Sequence, residues 1–130
     1  LAESVAPHAE FTEIIEMHHD KKSDAPSGTA IATAERMLGV RGKDFEQQVT
    51  KTSKLEGARG ANYGGISIHS VRLPGLMAHQ EIIFGLAGQT LTLRHDTINR
   101  ECYKPGVLLA IKRELETKGL TVGLESFMGL

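Results

Sequence analysis

The chain has 130 residues, 40% of them hydrophobic and 24% charged, and fifteen Lys and Arg against sixteen Asp and Glu leave a formal charge of −1 at pH 7. This is the make-up of one globular domain, and it argues against extended disorder, a fibrous coiled coil or an overall positive field suited to nucleic acid. The single cysteine, Cys102, excludes an intrachain disulfide and a four-thiolate zinc site. No apolar run nears the roughly 20 residues that span a bilayer, and the first ten residues have neither a basic start nor an apolar stretch, so a cytoplasmic protein is expected.

In chain order, residues 1–8 form a short helical or linker lead-in, because Pro7 discourages a continuing helix. Residues 11–18, FTEIIEMH, read as a strand. Phe11, Glu13, Ile15 and Met17 share its mostly apolar face; Thr12, Ile14, Glu16 and His18 share the other. A polar loop containing Pro26 follows. Ser27 then offers a cap to a helix in which Ala30, Ile31, Ala34, Met37 and Leu38 make one apolar stripe, with Gly39 as its natural end. Residues 49–52 are a possible short strand, and the glycine-rich residues 56–65 read as a mobile loop. Residues 66–73, 79–86 and 90–95 are strand candidates separated by turn signals, which predicts an antiparallel meander. A helix over residues 105–118, closed by Gly119, precedes a tail with room for one short strand. The expected architecture is α+β: a mixed, largely antiparallel sheet of about four strands, helices on one face, and a C-terminal helix. With few aromatics, the core rests on small aliphatic residues, and extra burial by self-association is expected.

Chemistry concentrates in residues 16–30, EMHHDKKSDAPSGTA. The first N–H groups of the helix, at Gly28, Thr29 and Ala30, have no partner in a preceding turn, and with the Ser27 and Thr29 hydroxyls they suit an anion such as a small carboxylate. Lys22, on the loop before that entrance, adds a charge-assisted hydrogen bond of roughly 1.5–3 kcal/mol, more than the roughly 0.3–1 kcal/mol of a helix dipole. His18 and His19 point to opposite sides if the strand persists, and an imidazole is the natural proton donor near neutral pH. Taken singly, each feature has a plainer reading: a helix cap, surface histidines, a solvated lysine pair. Their conjunction in one short loop is what points to a site.

Rival readings are weaker. His18, His19, Asp20 and Asp24 are possible metal ligands, but Lys21 and Lys22 oppose a dication, and no metal is expected. Cys102 has no neighbour in sequence that would depress its thiol pKa. Residues 57–65 lack the G-x-G-x-x-G spacing and lead into a strand rather than a helix, so they are not a dinucleotide loop.

Residues 13–30, EIIEMHHDKKSDAPSGTA, closely resemble the signature of the dihydrodipicolinate reductases, and TLTLRHDTINRECYKPGVLLAI and GLTVGLESF resemble the end of the same enzymes. The resemblance implies the C-terminal domain of such an enzyme: residues 1–104 for substrate binding and tetramerisation, residues 105–130 for a helix and tail that return to an N-terminal dinucleotide-binding domain. It implies His18 as the acid/base residue and Lys22 as proton donor and substrate anchor. His19, Ser27, Gly28 and Thr29 then contact the carboxylates of a small dicarboxylate substrate, and Arg100 and Tyr103 touch the dinucleotide. NADH or NADPH serves the full-length enzyme, and this domain alone is expected to be inactive. A homotetramer formed through the sheet is expected, with neither nucleic acid nor membrane as a partner. The alternative is a stand-alone dicarboxylate-binding or oligomerisation module without catalysis.

Overall fold

The computed structural model describes residues 1–47 and 49–129. The chain divides into two units, Leu1–Asp96 and Thr97–Leu130.

The first unit opens with helix α1 (Ala2–Val5) and a 3-10 turn (Ala6–His8). Strand β1 (Phe11–His18) leads through the polar loop into helix α2 (Gly28–Arg41), and β2 (Ala61–Tyr63), β3 (Ile66–Arg72), β4 (Ala78–Leu86) and β5 (Gln89–Thr97) complete one sheet in the order β2-β3-β1-β4-β5. The fold is therefore α+β with a mixed sheet, as expected, and has five strands.

The meander is corrected. Strand β1 lies between β3 and β4, parallel to β3 and antiparallel to β4. The connection from Leu73 to Met77 thus crosses the end of β1, a gap of two strand spacings or about 9.6 Å, which five residues span easily. This places the C-terminal end of β3 beside the C-terminal end of β1, with Arg72 in register with His18 and Leu73 N donating to His18 O at 3.1 Å.

The buried side of β1 is the one with the polar residues. Ile14 and Glu16 are fully buried and Thr12 nearly so, whereas Glu13, Ile15 and Met17 on the opposite face are half-buried. Burial of Thr12 is tolerated because Oγ1 donates to Ile83 O at 3.0 Å, and Glu16 has the partners described below. Ala30, Ala34 and Met37 present one stripe of α2 to this inner face, where Ile14, Ile66, Ile68, Ile82 and Phe84 complete the core with Ala6, Ala9 and Phe45. Each of the larger side chains contributes roughly 1.5–3 kcal/mol by leaving water.

Helix α2 runs past Gly39 and ends at Gly42, whose φ of 71° lets its N–H bond to Leu38 O at 2.9 Å. Arg41 holds that extra turn: its guanidinium donates to Ala6 O at 3.0 Å and to Ala9 O, and it stacks 4.4 Å above the Phe45 ring. Residues 49–52 form no strand. The glycine-rich stretch is instead partly ordered, since β2 pairs antiparallel with β3. Gly64 and Gly65 sit at φ of 57° and 82°, and Gly64 O accepts from Phe45 N at 2.9 Å.

In the second unit a 3-10 turn (Arg100–Tyr103), capped by Asn99 through a 2.9 Å bond from Glu101 N, enters helix α3 (Lys104–Glu114). The helix stops four residues before Lys118, and the tail carries a short helix α4 (Glu125–Met128) in place of a strand. Among the described residues, no helix is long and apolar enough to cross a membrane.

Candidate active site

The site is built where β1 ends and α2 begins. Strand alternation sends Glu16 and His18 to the same face. The Glu16 carboxylate, fully buried, organises the surroundings. Its Oε2 lies 2.6 Å from His18 Nδ1 and accepts from one Arg72 nitrogen at 2.7 Å; Oε1 accepts from the other Arg72 terminal nitrogen at 2.7 Å and from Ser27 N at 3.1 Å. This two-pronged guanidinium contact is the geometry in which arginine grips a carboxylate best. Burial pushes the Glu16 carboxyl up, but hydrogen bonds from Arg72, Ser70 and His18, together with the guanidinium charge, outweigh it and bring its pKa to about 2.

The same guanidinium reaches the loop. Arg72 donates to Asp24 O at 2.7 Å, and the Asp24 carboxylate takes the Lys22 ammonium at 2.7 and 2.8 Å. Lys22, Asp24, Arg72, Glu16, His18 and Ser27 are thus joined in one continuous polar network. Contact with Lys22 and the Arg72 charge lower the Asp24 pKa.

Of the residues singled out from the sequence, His18, Lys22 and Ser27 belong to this network. The His18 side chain keeps 16% of its surface exposed and that of Lys22 keeps 22%, so both remain reachable. Ser27 is buried; its Oγ accepts from Ala30 N at 3.2 Å, a standard N-cap that leaves the hydroxyl proton free to be donated. Gly28 and Thr29 are exposed in the first turn of α2, where helix geometry leaves their N–H groups without an intrahelical acceptor. A Cβ on Gly28 would meet nothing within 4 Å, so the fold itself makes no steric demand for glycine there. His19 lies just beyond the strand, exposed, and its carbonyl closes a turn with Lys22 N at 3.1 Å. Arg100 and Tyr103 lie exposed in the second unit.

The sequence pattern puts Glu16 beside His18 without assigning it a role, marks Asp24 only as a potential metal ligand, and does not single out Arg72. The i, i+2 spacing of Glu16 and His18 already carried the first contact. Nothing local to Arg72 signals its position, which follows from the parallel register of β3. A cavity of about 630 Å³ in the first unit is lined by none of these residues, but among others by Thr33, Arg36, Gln80, Leu93 and His95.

The geometry has close relatives. The family described as "Dihydrodipicolinate reductase, C-terminus" matches residues 1–128. The 4-hydroxy-tetrahydrodipicolinate reductase of Dehalococcoides mccartyi is 53% identical over 130 residues, covering all of this chain and 49% of its own length. That of Trichormus variabilis is 56% identical over 129 residues, covering 98% and 46%. Among solved structures, a dipicolinate-bound dihydrodipicolinate reductase from Paenisporosarcina sp. TG-14 superposes with a TM-score of 0.88 at 52% identity, covering 96% of this chain and 47% of that one. The chain therefore spans about half the length of the curated relatives it matches. With the signature at residues 13–30, a match along nearly the whole chain and a shared fold all in agreement, this chain belongs to the dihydrodipicolinate reductase C-terminal family.

Proposed function

We propose that this chain is the substrate-binding and catalytic half of an NAD(P)H-dependent reductase that converts 4-hydroxy-tetrahydrodipicolinate to tetrahydrodipicolinate in diaminopimelate and lysine biosynthesis. The observation that carries the reading is the Glu16 bridge from His18 to the N–H of Ser27, which sets a proton-transfer group beside an exposed helix entrance, with Lys22 on the loop between.

In this reading Lys22 leaves Asp24 to hold one substrate carboxylate. Gly28 and Thr29 offer backbone N–H groups to the other, with hydroxyl donors from Ser27 and Thr29 and the His19 imidazole alongside. His18 handles the proton that accompanies reduction, a contribution of about 10²–10⁴ in rate, and Lys22 is a second proton donor at the anchored end. Reduced nicotinamide, when bound, supplies the hydride. On the family resemblance, NADH or NADPH is held by a separate dinucleotide-binding domain, and this chain alone is expected not to turn over. Arg100 and Tyr103 are assigned to the dinucleotide on the family resemblance. Val107, Leu108 and Ile111 on α3, each more than half exposed, offer an apolar stripe for that domain.

The biosynthetic family is what supports a cytoplasmic location, and the outer sheet face supports assembly as a homotetramer. Ile15, Met17, Val71 and Ile83 lie on it half-buried, and no helix of the first unit packs there among the described residues.

Titration with pyridine-2,6-dicarboxylate tests the reading. Heat is expected from the native chain and its loss in Lys22→Ala; equal heats from both would reject the site. In a longer chain that also carries the dinucleotide domain, His18→Ala and Lys22→Ala should each lose most turnover.

A further inference from the structure

A buried carboxylate with four hydrogen-bond partners does more than balance charge. An ionised carboxylate only accepts hydrogen bonds, so the His18 nitrogen 2.6 Å from Glu16 Oε2 must carry a proton. That nitrogen is Nδ1, which leaves Nε2 as the one available to a ligand. Both oxygens of Glu16 are held by Arg72, so the carboxylate cannot swing away from the ring. Through Ser27 N, the same group is bound to the first residue of the α2 entrance.

We infer that Glu16 is a positioning residue: by accepting the Nδ1–H of His18 it leaves Nε2 as the nitrogen that takes up a proton from solvent and delivers it to the substrate, and it ties the imidazole to the proposed anion-binding entrance of α2. The inference rests on the reading that His18 handles the proton. Arg72 completes the device. It compensates a carboxylate that would otherwise be buried and unpaired, and through Asp24 O it extends the same brace to the Lys22 loop. A second carboxylate–histidine pair, Glu13 with His69 at 2.8 Å, shows what the device adds: that pair is part-exposed, its carboxylate also pairs with Arg59, and among the described residues no helix N-cap is tied to it.

A purely structural Glu16 would affect stability and leave both the tautomer and the chemical step unchanged. The two roles separate in full-length protein with ¹⁵N-labelled histidine, His18 being assigned by its absence in His18→Asn. At about pH 8.5, where an ordinary imidazole is neutral, the wild type should show His18 protonated at Nδ1 and bare at Nε2. Protonation at Nε2 with Nδ1 bare would overturn the inference, and the measurement is made on the wild type, with His18→Asn serving only for assignment. In Glu16→Gln the side-chain amide can face the ring with its NH₂, so the Nε2–H tautomer should grow and kcat should fall about 10–100-fold, part of the about 10²–10⁴ that general acid catalysis supplies, while KM moves far less. Glu16→Asp, which keeps an acceptor-only group, should recover part of both. A folded Glu16→Gln with unchanged tautomer and kcat would also overturn it. Should His18→Asn retain full turnover, the parent reading fails instead, while the tautomer result still reports on Glu16.

Discussion

The Lys22 ammonium is held by both carboxylate oxygens of Asp24, at 2.7 and 2.8 Å, two residues along the same loop. An internal carboxylate therefore occupies the position that the proposed substrate carboxylate would take. Exchange of one for the other predicts opposite effects from the two partners. Asp24→Asn should tighten binding of pyridine-2,6-dicarboxylate by releasing Lys22. Lys22→Ala should weaken it on the order of tenfold or more, the scale of one charge-assisted hydrogen bond. Calorimetric titration reads both, and weaker binding in Asp24→Asn would show that Asp24 orients Lys22 rather than competing for it.

Gly28 separates ligand binding from folding. Its added Cβ meets no atom of the chain within 4 Å. Gly28→Ala should therefore unfold at the same denaturant concentration or slightly higher, since replacing glycine at a compatible position stabilises by about 0.4–1 kcal/mol. Dicarboxylate affinity should nevertheless drop, because the methyl group would stand at the first N–H groups, where the proposed site takes its anion. Unchanged affinity would move the anion site away from this turn.

Acid stability should report Glu16. Its pKa lies at about 2 against an ordinary 4.5, so the unfolded chain binds more protons between those values. The stabilisation is complete above about pH 4.5 and is lost as pH falls through about 2. The shift corresponds to on the order of 3 kcal/mol. Urea unfolding followed from pH 6 downward should show a shallower decline in Glu16→Gln than in wild type, and parallel declines would contradict the assignment.

Two glycines with similar backbone angles should respond differently to alanine. Gly65 has φ of 82° and its Cβ would fall on the Phe45 carbonyl oxygen, whereas Gly75 has φ of 90° and open space around it. Both substitutions carry backbone strain of about 1–3 kcal/mol. Gly65→Ala should cost clearly more in thermal unfolding, because the contact that joins β2 and β3 to residue 45 must also shift.

Much of this site could be read from the chain because its parts are local. Strand alternation over residues 11–18, a serine at the helix start, and the spacing of His18, Lys22 and Gly28 all lie within twenty residues. The pairing of β1 with β3 could not be read, because a parallel neighbour fifty residues away leaves no periodic trace, and Arg72 was missed with it. The buried face of β1 was equally hidden: hydrophobicity favours the Ile15 and Met17 side, and only the partners of Thr12 and Glu16 make burial of the other side tolerable. Gly39 misled for a similar reason, since the anchors of Arg41 that extend α2 come from Ala6 and Ala9.

Strand β1 is paired along both edges, to β3 and to β4, and the pairing continues to His18 at its tip, opposite Arg72 on one side and Ala78 on the other. Lys22, in contrast, hangs from a solvent-facing loop. Asp24 and Arg72 link its ammonium back to the strand tip, so a ligand that displaced the Asp24 carboxylate would free the ammonium without touching the contacts that aim the imidazole.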